Sequence, residues 1–208
     1  MSTDWAAWHA GYDDPNSSLS RRLDVVRQRV GEALDTAPRP RVLSLCAGDG
    51  RDLLPGLAER PGERQVTLVE LDADLAAGAD ARAASLRLSG VDVRRGDAGL
   101  VATFGDTLPV DLLLLCGIFG NITDADIAAT VAAVPAMLTP GGIVIWTRGD
   151  FRDRPDMRPV IRRWFIDGGL IEITFDGPPS PFGVGVARWD GPTGDASGLP
   201  QRLFGFTR

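Results

Sequence analysis

Three short groups of glycine and acidic residues follow predicted strands, where side chains and backbone can reach a ligand. The first is Cys46-Ala47-Gly48-Asp49-Gly50, which separates an apolar run from a predicted helix. Glycine in such a loop lets the backbone approach a ligand closely, because it has no Cβ and tolerates dihedral angles that other residues avoid. A tight turn without a ligand is the alternative, and this loop alone leaves both interpretations open.

Two acidic residues occupy the corresponding place after the next two apolar runs. Glu70 lies about twenty residues beyond Gly50, the separation at which an acid in a nucleotide-binding fold reaches ribose hydroxyls. A carboxylate accepts hydrogen bonds from both hydroxyls at once. Asp97, in the segment Arg95-Gly96-Asp97-Ala98, could accept from the exocyclic amine of an adenine. Either acid alone could cap a helix, but three such features at successive strand ends favour a ligand site.

Two common phosphate-binding patterns are excluded. The dinucleotide fingerprint G-x-G-x-x-G is absent because, counted from Gly48, Leu53 occupies the place of its third glycine. A Walker loop fails because it requires lysine, and the chain contains none. The lack of lysine also excludes catalysis by a lysine side chain.

The elements that position these residues alternate between short apolar runs and longer alanine- and leucine-rich segments, as in β-α-β units around a parallel sheet. Predicted strands are 41–45, 65–70, 91–94, 110–115 and 143–147, and predicted helices are 18–34, 52–60, 73–88 and 124–138. Thr123 and Asp126 resemble a capping box. The last sheet strand is either 183–188 or 203–207. A length of 208 residues predicts one domain, 1–208, with residues 1–36 as an N-terminal helical cap and 37–208 as the core.

Five segments carry a resemblance to a known family. They are VLSLCAGDG (42–50), VELDADL (69–75), RGDA (95–98), DLLLLCGIFGNI (111–122) and LTPGGIVIW (138–146). In their order and spacing the sequence resembles the class I S-adenosylmethionine-dependent methyltransferases. The resemblance implies an α/β fold, a Rossmann-like three-layer sandwich with a seven-stranded, mostly parallel sheet in the order 3-2-1-4-5-7-6 and an antiparallel strand seven. It also implies that S-adenosylmethionine (SAM) lies across the carboxyl edge of the sheet.

The resemblance assigns roles within that site. Gly48 and Gly50 would lie against the amino-acid portion of SAM, Leu71 would pack on the adenine, and Cys116 with Gly117 would border the methyl donor. Glutamate and aspartate at the next two strand ends would hold the ribose and the adenine amine. The predicted cofactor-binding residues are Tyr12, Cys46, Ala47, Gly48, Asp49, Gly50, Glu70, Leu71, Asp97, Ala98, Cys116 and Gly117.

Two departures from the family pattern stand in the first segment. Ser44 replaces the usual acid, and Cys46 replaces the usual first glycine. Losing the acid weakens the expected hold on the ammonium group of SAM, so other residues must supply it. The N-terminal segment is the candidate, with Tyr12 closing over the site and Arg21 or Arg22 meeting the carboxylate of SAM. A packed aromatic side chain and a solvated helix face are the alternative interpretations.

Catalysis of methyl transfer can come largely from positioning, because the leaving group of a sulfonium is already activated. A hydroxyl or protonated-amine acceptor would gain from a base, for which His9, Tyr12 and Asp150 are candidates. His9 could instead be a surface or packing residue, and Asp150 a partner of Arg148 or Arg152. The expected acceptor site is mostly apolar and aromatic, which suits a hydrophobic or planar small molecule. Its residues are Trp5, Trp8, Tyr12, Phe119, Asn121 and Trp146, of which Trp146 is favoured as core.

Charge and composition narrow the class of partner. A formal net charge of −6 argues against a protein that follows nucleic acid by neutralising phosphates. No apolar run approaches the ~20 residues of a membrane helix. The N-terminus lacks a signal-peptide pattern, and two cysteines are too few for a disulfide framework. We therefore expect a cytoplasmic protein with a small-molecule acceptor, no metal site and no nucleic-acid or membrane partner, and the sequence leaves a homodimer open.

Several interpretations stay open at this point. Cys46 and Cys116 are expected to be small buried side chains near the cofactor, with a redox-sensitive pair as the minor alternative. The Arg-rich segment 148–163 is interleaved with aspartates and predicts a solvated, self-neutralised face. An aminopropyl or other alkyl transferase would use the same cofactor edge but needs an acidic pocket. A cofactor-binding module without methyltransferase activity would fit the altered first segment.

Overall fold

A seven-stranded sheet forms the centre of the molecule. The computed structural model describes residues 10–12, 14–150 and 155–207. The strands are β1 (Arg41–Leu45), β2 (Gln65–Glu70), β3 (Val91–Arg95), β4 (Val110–Leu115), β5 (Leu138–Gly149), β6 (Ile171–Asp176) and β7 (Phe182–Trp189). They lie in the order β3-β2-β1-β4-β5-β7-β6. Strand β7 is antiparallel to both of its neighbours, and the other neighbours pair in parallel. The predicted fold class and strand order are confirmed.

Five α-helices of the described chain cover this sheet. They are α1 (Ser18–Leu34), α2 (Leu54–Ala58), α3 (Ala73–Ser85), α4 (Asp124–Met137) and α5 (Arg158–Asp167). Helices α1, α3 and α4 follow Ser17, Asp72 and Thr123, whose side chains accept hydrogen bonds from backbone N–H groups of the first turn. The predicted cap at Thr123 is therefore confirmed. The carboxylate of Asp126 accepts instead from the backbone N–H of Gly205, at 3.3 Å.

Side chains at alternate positions of the central strands enter two apolar layers. In β4, Leu113 and Leu115 enter the layer that contains α4 and α5, which we call the α4/α5 layer. Leu112 and Leu114 enter the layer that contains α1, α2 and α3, the α1–α3 layer. A nearly continuous apolar run such as that of β4 is typical of a strand covered on both faces. The molecule is thus a three-layer sandwich.

Two helices differ from the predictions by more than one residue, whereas α4 ends one residue before the predicted 138. Helix α2 is shorter than the predicted 52–60 because residues 51–53 form a turn, and its first turn contains Pro55. Helix α3 ends before the predicted 88, where Arg87 adopts a φ of 54° that ends a helix. No helix among the described residues is long and apolar enough to cross a membrane.

Both ends of the described chain pack against the core. Val26 and Val30 place α1 within the α1–α3 layer, so this helix covers the sheet as well as preceding it.

The single domain and its boundary at residue 36 stay predictions. Because β7 is Phe182–Trp189, the last strand corresponds to the predicted 183–188. Residues 203–207 form no strand, and Phe206 makes a single bridge with Ile122.

The Arg-rich segment is not the fully solvated face that the sequence predicted. Arg148 and Arg158 are each only 4% exposed. Arg148 donates to a backbone carbonyl at 2.7 Å, and Arg158 donates to both carboxylate oxygens of Asp156. Arg163 does remain exposed, beside Asp167. Two of these arginines are therefore part of the packed structure, and each donates hydrogen bonds within it.

The packing of Trp146 against β7 generates a test of the fold. The indole of Trp146 stacks against Phe165 and against Phe175, with ring centroids 5.7 and 5.8 Å away. A Cβ at Gly185 would collide with this indole. We predict that Gly185→Ala lowers the free energy of unfolding by about 1–3 kcal/mol through overpacking, as measured by chemical denaturation.

The matched control is Gly198→Ala. A Cβ at Gly198 meets no atom within 4 Å, so the free energy of unfolding should change by less than about 0.5 kcal/mol. Equal stability of the two variants would contradict the packing described for Trp146.

Candidate functional site

A cavity of about 680 Å³ opens at the carboxyl edge of the sheet. Its volume falls within the range of roughly 300–1,000 Å³ that is typical of small-molecule sites. Of the residues predicted to bind a cofactor, those that line it are Tyr12, Cys46, Ala47, Gly48, Asp49, Glu70, Leu71, Asp97, Ala98, Cys116 and Gly117. The structure therefore brings together side chains from the ends of four strands and from the N-terminal segment.

The loop after β1 is tied to the end of β2 through Glu70. Glu70 is buried, with 8% of the residue exposed. Its Oε2 accepts a hydrogen bond from the backbone N–H of Gly48 at 2.8 Å, and its Oε1 accepts from the N–H of Asp72 at 2.9 Å. The loop also needs positive φ angles, 57° at Cys46 and 56° at Gly48. This geometry turns the loop backbone towards the cavity and fixes the carboxylate beneath it.

Gly50 differs from the other predicted residues because it does not line the cavity. Its φ is 69°, and a Cβ there would lie 2.7 Å from the Leu54 side chain. Gly50 therefore allows the loop to enter α2 closely, which is a packing requirement.

Asp49 is held by two arginines. Arg51 donates to both of its oxygens, and Arg82 donates to Oδ2 at 2.7 Å. Burial alone would raise the pKa of Asp49, but these two guanidinium groups outweigh it and lower the pKa from 3.8 to about 2. The charge of Asp49 is thus already neutralised within the protein.

The end of the cavity at the carboxyl ends of β2 and β3 combines an exposed apolar surface with an acid. Leu71 is 63% exposed, which is unusual for leucine next to a buried strand. Asp97 accepts from the backbone N–H of Gly99 at 2.8 Å and from Arg202 at 2.9 Å. These contacts fix the direction of the Asp97 carboxylate beside Ala98.

The opposite end of the cavity is built by the N-terminal segment and β4. Tyr12 lies in a short turn, Ala10–Tyr12, and its hydroxyl accepts from Arg22 of α1 at 3.2 Å. The guanidinium of Arg51 lies 4.7 Å from the centre of the Tyr12 ring. The backbone N–H of Gly117 donates to Thr147 Oγ1 at 2.9 Å. A Cβ at Gly117 would meet nothing within 4 Å, so this backbone faces open space.

Asp52 is the residue of this end that sequence reasoning missed. It lines the cavity, and its Oδ1 is buried without a hydrogen-bond partner among the described residues. Burial is the largest cause that raises the pKa of Asp52 from 3.8 to about 6, and the negative charge of Asp49 adds to it. Backbone N–H groups and Arg27 oppose the rise. An acid two residues after Gly50 was the only signal in the sequence, and it was interpreted as the start of a helix.

Several predicted acceptor and catalytic residues lie away from the cavity. Phe119 and Trp146 are buried in the α4/α5 layer, which corrects the expectation for Phe119 and confirms the core assignment of Trp146. Asn121 donates to the carbonyl of Gly117 at 2.8 Å and supports the loop from outside. Asp150 does not line the cavity and pairs with Arg158 at 3.5 Å. The predicted residues outside the described ranges are Trp5, Trp8 and His9.

Other lining residues were not predicted. Thr147 and Phe206 come from β5 and the C-terminal segment, and Leu23 and Val26 come from α1. Their position depends on packing between distant parts of the chain, so no local pattern indicates it.

The two cysteines line the cavity but belong to opposite faces of the sheet. Cys46 packs on the α4/α5 layer, and Cys116 packs on the α1–α3 layer. Burial raises the pKa of both thiols. Both are unbridged. This arrangement favours the interpretation as small buried side chains over a redox-sensitive pair.

Comparison with known proteins points to a methyltransferase domain. Residues 42–142 match a family model described as a methyltransferase domain. No curated protein matches the chain by sequence. This match and the fold shared with solved SAM-dependent methyltransferases support placing residues 42–142 in the class I SAM-dependent methyltransferase family.

Solved structures share the fold at low sequence identity. An O-methyltransferase family protein from Burkholderia thailandensis has a TM-score of 0.66 and 17% identity, over 92% of this chain and 61% of its own length. The chain thus spans less than two thirds of that protein. Magnesium protoporphyrin IX methyltransferase from Synechocystis PCC 6803, with bound SAM, has a TM-score of 0.69 and 14% identity. The match covers 90% of this chain and 91% of that protein. Fibrillarin from Aeropyrum pernix, also with bound SAM, has a TM-score of 0.54 and 16% identity. The match covers 71% of this chain and 66% of that protein.

The buried carboxyl group of Asp52 predicts an unusual pH dependence of stability. Because its folded-state pKa of about 6 lies above the ordinary 3.8, its contribution to stability falls as pH rises through this interval and stays low above it. We predict that Asp52→Asn unfolds at a higher temperature than the wild type near pH 8, and that the difference shrinks towards about pH 4. Thermal unfolding at both pH values measures this.

Asp24→Asn is the control, since Asp24 is an exposed acid on α1. It should unfold at the wild-type temperature at each pH. An Asp52→Asn variant that is less stable than the wild type near pH 8 would contradict the unfavourable burial of this carboxylate.

Proposed function

We propose that the chain transfers the methyl group of SAM to a small apolar or aromatic acceptor. The observation that carries this proposal is the order of groups along the cavity. The strand order β3-β2-β1-β4 puts Asp97, Glu70, Gly48 and Gly117 in a row. In that order, these residues would contact the adenine, the ribose, the amino-acid portion and the methyl group of SAM.

The residues at the ribose position fit such a ligand. Each oxygen of Glu70 accepts one backbone N–H, and a carboxylate offers about four lone-pair sites. Capacity therefore remains for two ribose hydroxyls. The exposed face of Leu71 supplies the apolar surface on which an adenine ring would pack.

The loop at Gly117 would border the reacting methyl group. When bound, SAM supplies an electrophilic methyl group on its sulfonium. The Gly117 loop is held on both sides, because its N–H donates to Thr147 and its carbonyl accepts from Asn121. A rigid border of this kind supports catalysis by positioning, in which donor and acceptor are held in line.

The candidates for a general base are reduced by the geometry. Asp150 is paired with Arg158 away from the cavity. Tyr12 lines the cavity, but burial raises its pKa above the ordinary 10.0, so it stays a neutral phenol near neutral pH. We therefore assign Tyr12 to closing the site over SAM and propose transfer without a dedicated base from these residues.

The acceptor is proposed to be apolar because of the side chains that complete the cavity. Leu23 and Val26 from α1 and Phe206 from the C-terminal segment line it. The net charge of −6 supports a small-molecule acceptor over nucleic acid. A cofactor-binding module without activity is the alternative that the assays below decide. Cytoplasmic location and a homodimer stay predictions.

We predict that Glu70→Ala weakens SAM binding by at least about 100-fold, because two charge-assisted hydrogen bonds to the ribose are lost. Isothermal titration calorimetry on the full chain measures the affinity. Glu63→Ala is the matched control, since the Glu63 side chain is 80% exposed. Equal SAM affinity in both variants would refute the ribose role of Glu70.

The methyl-transfer step itself is tested by incubating the wild type with SAM and pooled apolar and aromatic metabolites. Release of S-adenosylhomocysteine with a matching mass gain of one methyl group in an acceptor is the expected result. Tight SAM binding with no turnover on any pool would favour the binding module.

A further inference from the structure

We infer that Asp52 holds the ammonium group of SAM, in place of the acid that the family has at the position of Ser44. This inference rests on the proposed function. Serine at position 44 leaves the expected binding site without an anion, and Asp52 supplies one.

Ser44 cannot serve as that anchor. It lies within β1, is 1% exposed and does not line the cavity. Its hydroxyl has no hydrogen-bond partner among the described residues. A hydroxyl also lacks the charge that makes a hydrogen bond to an ammonium group strong. The anchor must therefore come from another acid that reaches the cavity.

Three other acids of the cavity have a protein donor on both carboxylate oxygens. Asp49 is bound by two arginines, Glu70 accepts two backbone N–H groups, and Asp97 accepts from Gly99 and Arg202. Asp72 caps α3. In the described chain Asp52 is the lining acid with a buried oxygen that accepts no hydrogen bond. Such a group is costly unless a ligand pairs with it.

The position of Asp52 fits the amino-acid portion of SAM. Asp52 follows the Gly48 loop by a few residues and lies near Tyr12 and Cys116, whose pKa values it raises by its charge. Arg22 lies at the same end and donates to Tyr12. An amino acid carries one ammonium and one carboxylate, so an acid and an arginine at one end of a cavity match both charges.

Binding of a cation should be linked to the protonation of Asp52. The charged and titratable groups around it are Asp49, Arg27, Arg22, Tyr12 and Cys116. Burial and Asp49 raise the pKa of Asp52 to about 6 in the ligand-free protein, against the opposing Arg27. A ligand with an ammonium group binds the ionised form, so it must displace a proton below about pH 6. Its affinity should fall there by up to about tenfold per pH unit.

The test compares two neutral-sulfur ligands by calorimetry on the full chain. S-adenosylhomocysteine carries the ammonium group, and methylthioadenosine lacks the whole amino-acid portion. We expect Asp52→Asn to weaken S-adenosylhomocysteine by roughly 10- to 100-fold, the range for a hydrogen bond between charged groups. Methylthioadenosine affinity should stay at the wild-type value, which also shows that the variant is folded.

Two further measurements sharpen the test. In Asp52→Asn the affinity for S-adenosylhomocysteine should lose its pH dependence between about pH 5 and 7. Asp52→Glu keeps the charge and should bind more tightly than Asp52→Asn. Asp24→Asn, an exposed acid on α1, should match the wild type for both ligands.

The inference is overturned if Asp52→Asn binds S-adenosylhomocysteine like the wild type, or if it weakens both ligands equally. Unchanged affinity with reduced turnover would make Asp52 a base towards the acceptor. In each of these cases the cofactor-binding part of the proposed function is untouched, because the wild type still binds S-adenosylhomocysteine. A wild type that binds neither ligand would overturn both the inference and the proposed function.

Discussion

The hydrogen bonds of Glu70 are the constraint on which the candidate site depends. One carboxylate joins the loop after β1, through Gly48, to the turn after β2, through Asp72. Parallel pairing of β1 with β2 brings these two loops to one edge of the sheet. A buried carboxylate needs such donors, because an unpaired charge there would destabilise the fold. The same contacts that stabilise the loop therefore also aim Glu70 along the cavity.

The two ends of the cavity differ in how their charges are balanced. At the carboxyl ends of β2 and β3, Asp97 accepts hydrogen bonds from the protein, and Leu71 exposes an apolar surface. Beside α1, Asp52 keeps a buried oxygen without a protein donor. Folding does not gain from that arrangement, since the pKa of Asp52 is raised to about 6 by burial. Unfavourable burial of an acid in a cleft is a mark of a functional site.

The sequence was sufficient for features that depend on local chain order. The alternation of apolar strand segments with helical segments predicts where each strand ends, and Glu70 and Asp97 lie at two of these ends. Parallel pairing then brings the carboxyl ends of the strands to one edge of the sheet. The sequence was insufficient where distant packing decides the result. Phe119 follows β4 like the lining residues, yet it turns into the α4/α5 layer. Asp52 looked like a helix start, and only its packing near Tyr12 and Cys116 reveals the unpaired oxygen.

The most direct test of the central claim is calorimetric titration of the full chain with SAM near neutral pH. The described cavity predicts saturable binding with one SAM per chain. Absence of binding heat with SAM, together with absence of any shift in unfolding temperature at saturating SAM, would contradict the claim that this carboxyl edge binds the cofactor.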